Sequence, residues 1–199
     1  PHPTPSQVSE VLYNPDGTVA GVRSGEGATT EVALAPLVVG DPSYFAAPKL
    51  KRTGRIIRTV CIINHPMAGL EVPDSGMIIL PASQVGRRND IYITVVGEKH
   101  AVSAKGRYVA IVSTKVETDK PSAEVEPGVR LLGELITRFD NIADTFEPAD
   151  DGRASRAFVT ASYDASSHFE ETSTEVLALY RRVFGEDFDL SKPVEVPTE

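Results

Sequence analysis

Apolar and polar positions alternate from Val8 until Asn14-Pro15-Asp16-Gly17 interrupts them. The interruption reads as a turn, because proline fixes one φ and Asp-Gly tolerates positive φ. Val19–Arg23 returns as a second strand, Gly25-Glu26-Gly27 turns again, and Glu31–Leu34 supplies a third. The stretch Val8–Leu34 therefore predicts an antiparallel meander. Leu37-Val38-Val39, closed by Gly40-Asp41, is a short unbroken apolar run, the pattern of a parallel strand buried on both faces. Longer β-rich runs follow at Ile56–Asn64, Met77–Pro81, Asp90–Val96 and Tyr108–Thr114, with no helical pattern between them. They predict an antiparallel sheet, with Val60, Ile62, Ile79, Ile93, Val95, Val109 and Ile111 expected in its core.

Beyond Pro121 the period changes. Val125, Val129, Leu132, Ile136, Phe139, Ala143 and Phe146 step by four and three, and Pro127 suits the first turn of a helix. Phe139–Glu147 and Ala157–Tyr163 also read as a hairpin around Asp150-Asp151-Gly152. The two readings conflict after about Leu135; the assignment taken is helix to that point and strand beyond it. Ser166 or Ser167 can cap a last helix, with Glu170 or Glu171 in its first turn. Phe169, Val176, Leu177, Tyr180 and Val183 form its apolar face, and Gly185 stops it. The expected segments are a disordered start over 1–7, the meander and following strand over 8–41, and a mainly antiparallel sheet region with one helix over 42–164. The terminal helix takes 165–190 and a tail 191–199.

At 199 residues, 41% hydrophobic and 24% charged, the chain suits one folded domain or a large piece of a bigger one. A chain of this length buries roughly 70% of its unfolded surface, which excludes a disulfide-stapled miniprotein. The net charge of -8 argues against nucleic acid as a partner, since phosphate binding needs clustered Lys and Arg. One cysteine, Cys61, makes no internal disulfide and points to a reducing compartment. No apolar run approaches the roughly 18 residues of a membrane span, so the chain reads as cytoplasmic. It opens Pro1-His2-Pro3-Thr4-Pro5, without the basic start and apolar core of a signal peptide, and its first methionine is Met67. A chain cut from a longer protein is expected.

Candidate chemistry is sparse. His2, His65, His100 and His168 are scattered, without metal-ligand spacing. Cys61 lies inside an apolar run and reads as a buried structural thiol. Asp74-Ser75-Gly76 lacks the first glycine of a nucleophile elbow. Gly25-Glu26-Gly27-Ala28-Thr29-Thr30 ends in Thr where a dinucleotide loop needs Gly, and it joins strands of a meander. Asp150 and Asp151 read as a solvated turn. The five cations Lys49, Lys51, Arg52, Arg55 and Arg58 read as a solvated face, with contact to an anionic lipid surface or an acidic partner as the alternative. Ser166-Ser167-His168 reads as a cap, with anion binding as the alternative. No catalytic, cofactor-binding or metal-binding residue is assigned.

A meander leading into a short buried strand that ends Gly-Asp is how many two-domain flavin-binding chains return to their nucleotide domain. Several runs carry a narrower likeness: Val39-Gly40-Asp41-Pro42-Ser43-Tyr44, Gly54-Arg55-Ile56-Ile57-Arg58 and Ile63-Asn64-His65-Pro66. So do Ile79-Leu80-Pro81, Gln84-Val85-Gly86-Arg87-Arg88-Asn89-Asp90-Ile91-Tyr92 and Gly106-Arg107-Tyr108-Val109-Ala110-Ile111-Val112-Ser113-Thr114. Glu126-Pro127-Gly128, Phe146-Glu147-Pro148, Asp150-Asp151-Gly152 and Ser162-Tyr163-Asp164-Ala165-Ser166-Ser167-His168-Phe169-Glu170 complete the set. From about Val8 to about Leu190 the chain resembles the Rab GDP dissociation inhibitors, which are related to Rab escort proteins.

The resemblance implies an α+β chain that is part of a flavoprotein-like two-domain fold: meander, short buried strand, antiparallel sheet and C-terminal helix. It implies a non-enzymatic protein that binds prenylated Rab GTPases in the GDP state, slows GDP release and recycles them between membrane and cytosol. The family's Rab-binding platform and prenyl pocket lie earlier in its chains, so no Rab-binding residue is assigned within this segment. It is expected to be mainly scaffold, without cofactor, meeting membranes only transiently through its parent. The alternatives are the C-terminal part of a flavin-dependent oxidoreductase or of a Rab escort protein.

Overall fold

A computed structural model describes residues 8–25, 30–67, 69, 75–166 and 169–192. Expectations for residues 1–7, Glu26–Thr29, Asp74, Ser167, His168 and the tail from Pro193 lie outside the described residues. The early strands are β1 (Val8–Tyr13), β2 (Val19–Ser24), β3 (Glu31–Leu34), β4 (Val38–Gly40) and β5 (Leu50–Ile63). After them come β6 (Ser75–Leu80), β7 (Ile91–Val96), β8 (Tyr108–Lys115), β9 (Thr137–Pro148) and β10 (Ala157–Val159). The helices are α1 (Ala82–Val85), α2 (Pro121–Glu124), α3 (Glu126–Leu131) and α4 (Phe169–Phe184). The chain divides into two units, one of Pro1–Lys51, Phe146–Ser162 and His168–Glu199, the other of Arg52–Thr145 and Tyr163–Ser167.

In the first unit β1, β2 and β3 form the antiparallel meander read from the sequence. Asp16 tightens its first turn by accepting from the Thr18 backbone and hydroxyl. Gly21 is required in β2: a Cβ there would stand 2.1 Å from the Ala33 carbonyl oxygen. β4 pairs in parallel with β10. Val11, Val19, Phe45, Ala157 and Val159 make this unit's core, with Val22, Val38 and Leu50 against it. The expectation that β4 is buried on both faces is corrected, because Val39 is 47% exposed. β10 is its only strand partner among the described residues, so β4 is an edge, while β10 itself is buried throughout.

α4 ends where Gly185 adopts a φ of 82° and returns its N–H to the Arg181 carbonyl. Arg153 donates to the carbonyls of Arg181 and Arg182, giving the negative end of the helix a cation. None of its side chains is buried.

In the second unit the sheet order is β6-β7-β8-β5-β9, with β6, β7, β8 and β5 antiparallel in turn. One face carries Ile57, Cys61, Ile63, Ile91, Ile93, Val95, Ala110 and Val112, closed over by Val125, Val129 and Leu132 from the α2–α3 segment. The fit is close: a Cβ on Gly128 would lie 2.7 Å from Val112 Cγ1.

Register sets three rows across the other face. They are Ile79–Tyr92–Ser113–Arg58, Met77–Thr94–Ile111–Val60 and Ser75–Val96–Val109–Ile62. The expected core is therefore corrected in part. Ile93 and Val95 are buried, but Val60, Ile62 and Val109 are half-buried, and Ile79 and Ile111 are each 37% exposed. The helical reading also ends early, since α3 stops at Leu131 and Gly133 turns the chain at a φ of 75°. The strand beyond it is β9, which pairs with β5, while β10 pairs with β4, so the two make no hairpin.

Candidate functional site

Every cation of the run Lys49–Arg58 is engaged inside its own unit. In the first unit Lys49 bonds Asp150 at 2.9 Å and the Ser155 hydroxyl at 2.8 Å, and Lys51 pairs with Glu147 at 2.6 Å. In the second, Arg52 pairs with Asp144 at 2.6 Å, and Arg55 reaches the Thr118 carbonyl at 3.5 Å. Arg58 donates to the carbonyls of Tyr163 and Asp164. The basic run is thus neither a plain solvated face nor a free basic patch. Lys51 and Arg52 stay 70% and 56% exposed, a solvated face that also carries surface ion pairs. A signal existed: Asp144, Glu147 and Asp150 recur every third residue, opposite in sign to the run.

Asp150 also accepts the Gly152 N–H, and Asp151 accepts the Arg153 N–H, so both carboxylates belong to their own turn. The hydrogen bond from Lys49 holds the Asp150 carboxyl below the usual range.

A second cluster escaped the sequence reading. Arg87 meets Glu124 at 2.7 Å and Glu117 at 3.4 Å, and donates to the Lys115 carbonyl. Glu124 accepts from the backbone of Glu117 and Thr118 and from the Thr118 hydroxyl. Glu117 accepts from the backbone N–H groups of Arg88 and Asn89 and from the Asn89 side chain. Side chains 9% and 4% exposed, at Arg87 and Glu124, face each other rather than solvent. The arrangement can clamp three chain segments. Arg87 and Glu124 are too distant in sequence for any local pattern to pair them.

The remaining candidates stay apart. His65 sets its Nδ1 3.1 Å from the Pro66 carbonyl and its Nε2 3.1 Å from the Glu134 carbonyl, while His100 lies exposed in a short turn. No group of three or more potential metal ligands forms among the described residues. Cys61 is fully buried, as its apolar run predicts, and burial pushes its thiol up. Among the described residues no helix is long and apolar enough to cross a membrane.

Gly40-Asp41 is where a flavin-type return would bring a strand end to a cofactor. Here a Cβ on Gly40 would meet the Phe45 ring at 2.9 Å, and the Asp41 carboxylate accepts the Ser43 N–H. The turn is thus held by contacts among its own groups.

Comparison with known proteins places this geometry. The model of the GDP dissociation inhibitor family matches residues 4–195. The chain is 45% identical over 190 residues to the Rab GDP-dissociation inhibitor of Saccharomyces cerevisiae, covering 94% of this chain and 41% of that protein. It is 42% identical over 185 residues to the probable secretory pathway GDP dissociation inhibitor 1 of Schizosaccharomyces pombe, covering 93% of this chain and 41% of that protein. Among solved structures it is similar to the Rab GDI of Plasmodium falciparum, with a TM-score of 0.82 at 35% identity. That likeness covers 92% of this chain and 41% of the other. The flavin-dependent brominase Bmp2, in a triple-mutant form, is similar with a TM-score of 0.56 at 9% identity, covering 89% of this chain and 48% of that one. At that identity it shows the fold alone, which is flavoprotein-like. The chain spans about two fifths of the length of the inhibitors it matches.

Proposed function

This chain belongs to the GDP dissociation inhibitor family, and from that premise we propose that it is the scaffold part of a Rab GDP dissociation inhibitor. The whole protein binds prenylated Rab GTPases in the GDP state, slows their GDP release and carries them between membrane and cytoplasm, without catalysis. The observation that carries the reading is 45% identity, over 94% of this chain, to a protein of that name. The internal contacts of Lys49–Arg58 favour a scaffold role, each cation of the run having an acceptor within the chain. The flavoenzyme reading has only shared architecture behind it.

A stable protein interface buries about 1,600 Å² around a few anchors. A prenyl chain gains about 0.8 kcal/mol per methylene only inside an apolar pocket. The test is calorimetric titration of this chain into prenylated Rab·GDP at physiological salt. We expect no binding heat and no slowing of GDP release, whereas a polypeptide of the relatives' full length does both. A submicromolar, salt-resistant affinity would place a Rab or lipid site within this chain and overturn the scaffold reading.

A further inference from the structure

We draw no further inference here: the strongest candidate, the surface patch along α4 where Val176 and Phe184 stand exposed on either side of Tyr180, is an unpartnered apolar face, and nothing in the structure shows what covers it.

Discussion

Glu124 is a buried, paired carboxylate whose removal should be costly. Burial works to raise its carboxyl, but hydrogen bonds from the Thr118 hydroxyl, the Glu117 backbone and Arg87 outweigh that and hold it below its ordinary 4.5. Burial likewise acts upward on Glu117, and Asn89, Arg88 and Arg87 pull it down on balance. A carboxyl lowered by folding adds stability that is fully present above its unfolded value and lost as pH falls through its folded value. The protein should therefore hold its stability near neutrality and lose it progressively below about pH 4.5. Glu124→Gln leaves Arg87 without its closest partner and should cost about 3 kcal/mol at pH 7. It should also flatten the acid decline, because the titrating group is gone. Urea midpoints at pH 7 and pH 4 check both, and coincident acid profiles would refute the assignment. Gly128→Ala is the packing counterpart: the added methyl meets Val112 at 2.7 Å and Ile91 at 3.0 Å. Overpacking of that kind costs about 1–3 kcal/mol, which a thermal melt would show as a lower Tm.

At the level of strands and helices, Ile57 and Ile62 separate what the sequence told from what it withheld. The runs around Cys61, Ile93 and Ala110 stood out because Gly, Pro, Asn and Asp bound them, and their antiparallel pairing followed from the lack of a helical pattern between them, α1 being a single turn. Which face turned inward did not follow. Parity is plainest where one face is polar, and here the outer face mixes Val60, Ile62, Val109 and Ile111 with Arg58, Thr94 and Ser113. Ile57→Asp, at a position fully buried, should cost several kcal/mol, while Ile62→Asp on the half-open face should cost much less in this chain. Denaturant midpoints that rank the two the other way would reverse the faces assigned to β5. The Arg87–Glu124 clamp was illegible for a different reason, since only the fold brings its members together. The β5–β9 charge pairs are exposed and weakly stabilising, about 0–1 kcal/mol each. Arg52→Glu should accordingly cost under about 1 kcal/mol, and adding Asp144→Arg should restore it. A double-mutant cycle at low and high salt reads that directly, with the coupling shrinking as salt rises.

For the molecule as a whole, net charge and pairing act in one direction. A charge of -8 opposes an anionic membrane, and the one dense basic run is spent on internal acceptors. This chain should stay in the supernatant when spun with anionic vesicles at about 0.15 M salt, where the Debye length is about 8 Å; co-sedimentation would show cations freed from those pairs. The parallel pairing of β4 with β10 has a consequence in time. Its two strands lie about 120 residues apart, and nearly all of the second unit is encoded between them. At about 5–20 residues per second of synthesis, β4 leaves the ribosome on the order of ten seconds before β10 exists. The unit that holds β4 thus cannot close until β10 follows, and its early strands wait on the ribosome while the second unit is made.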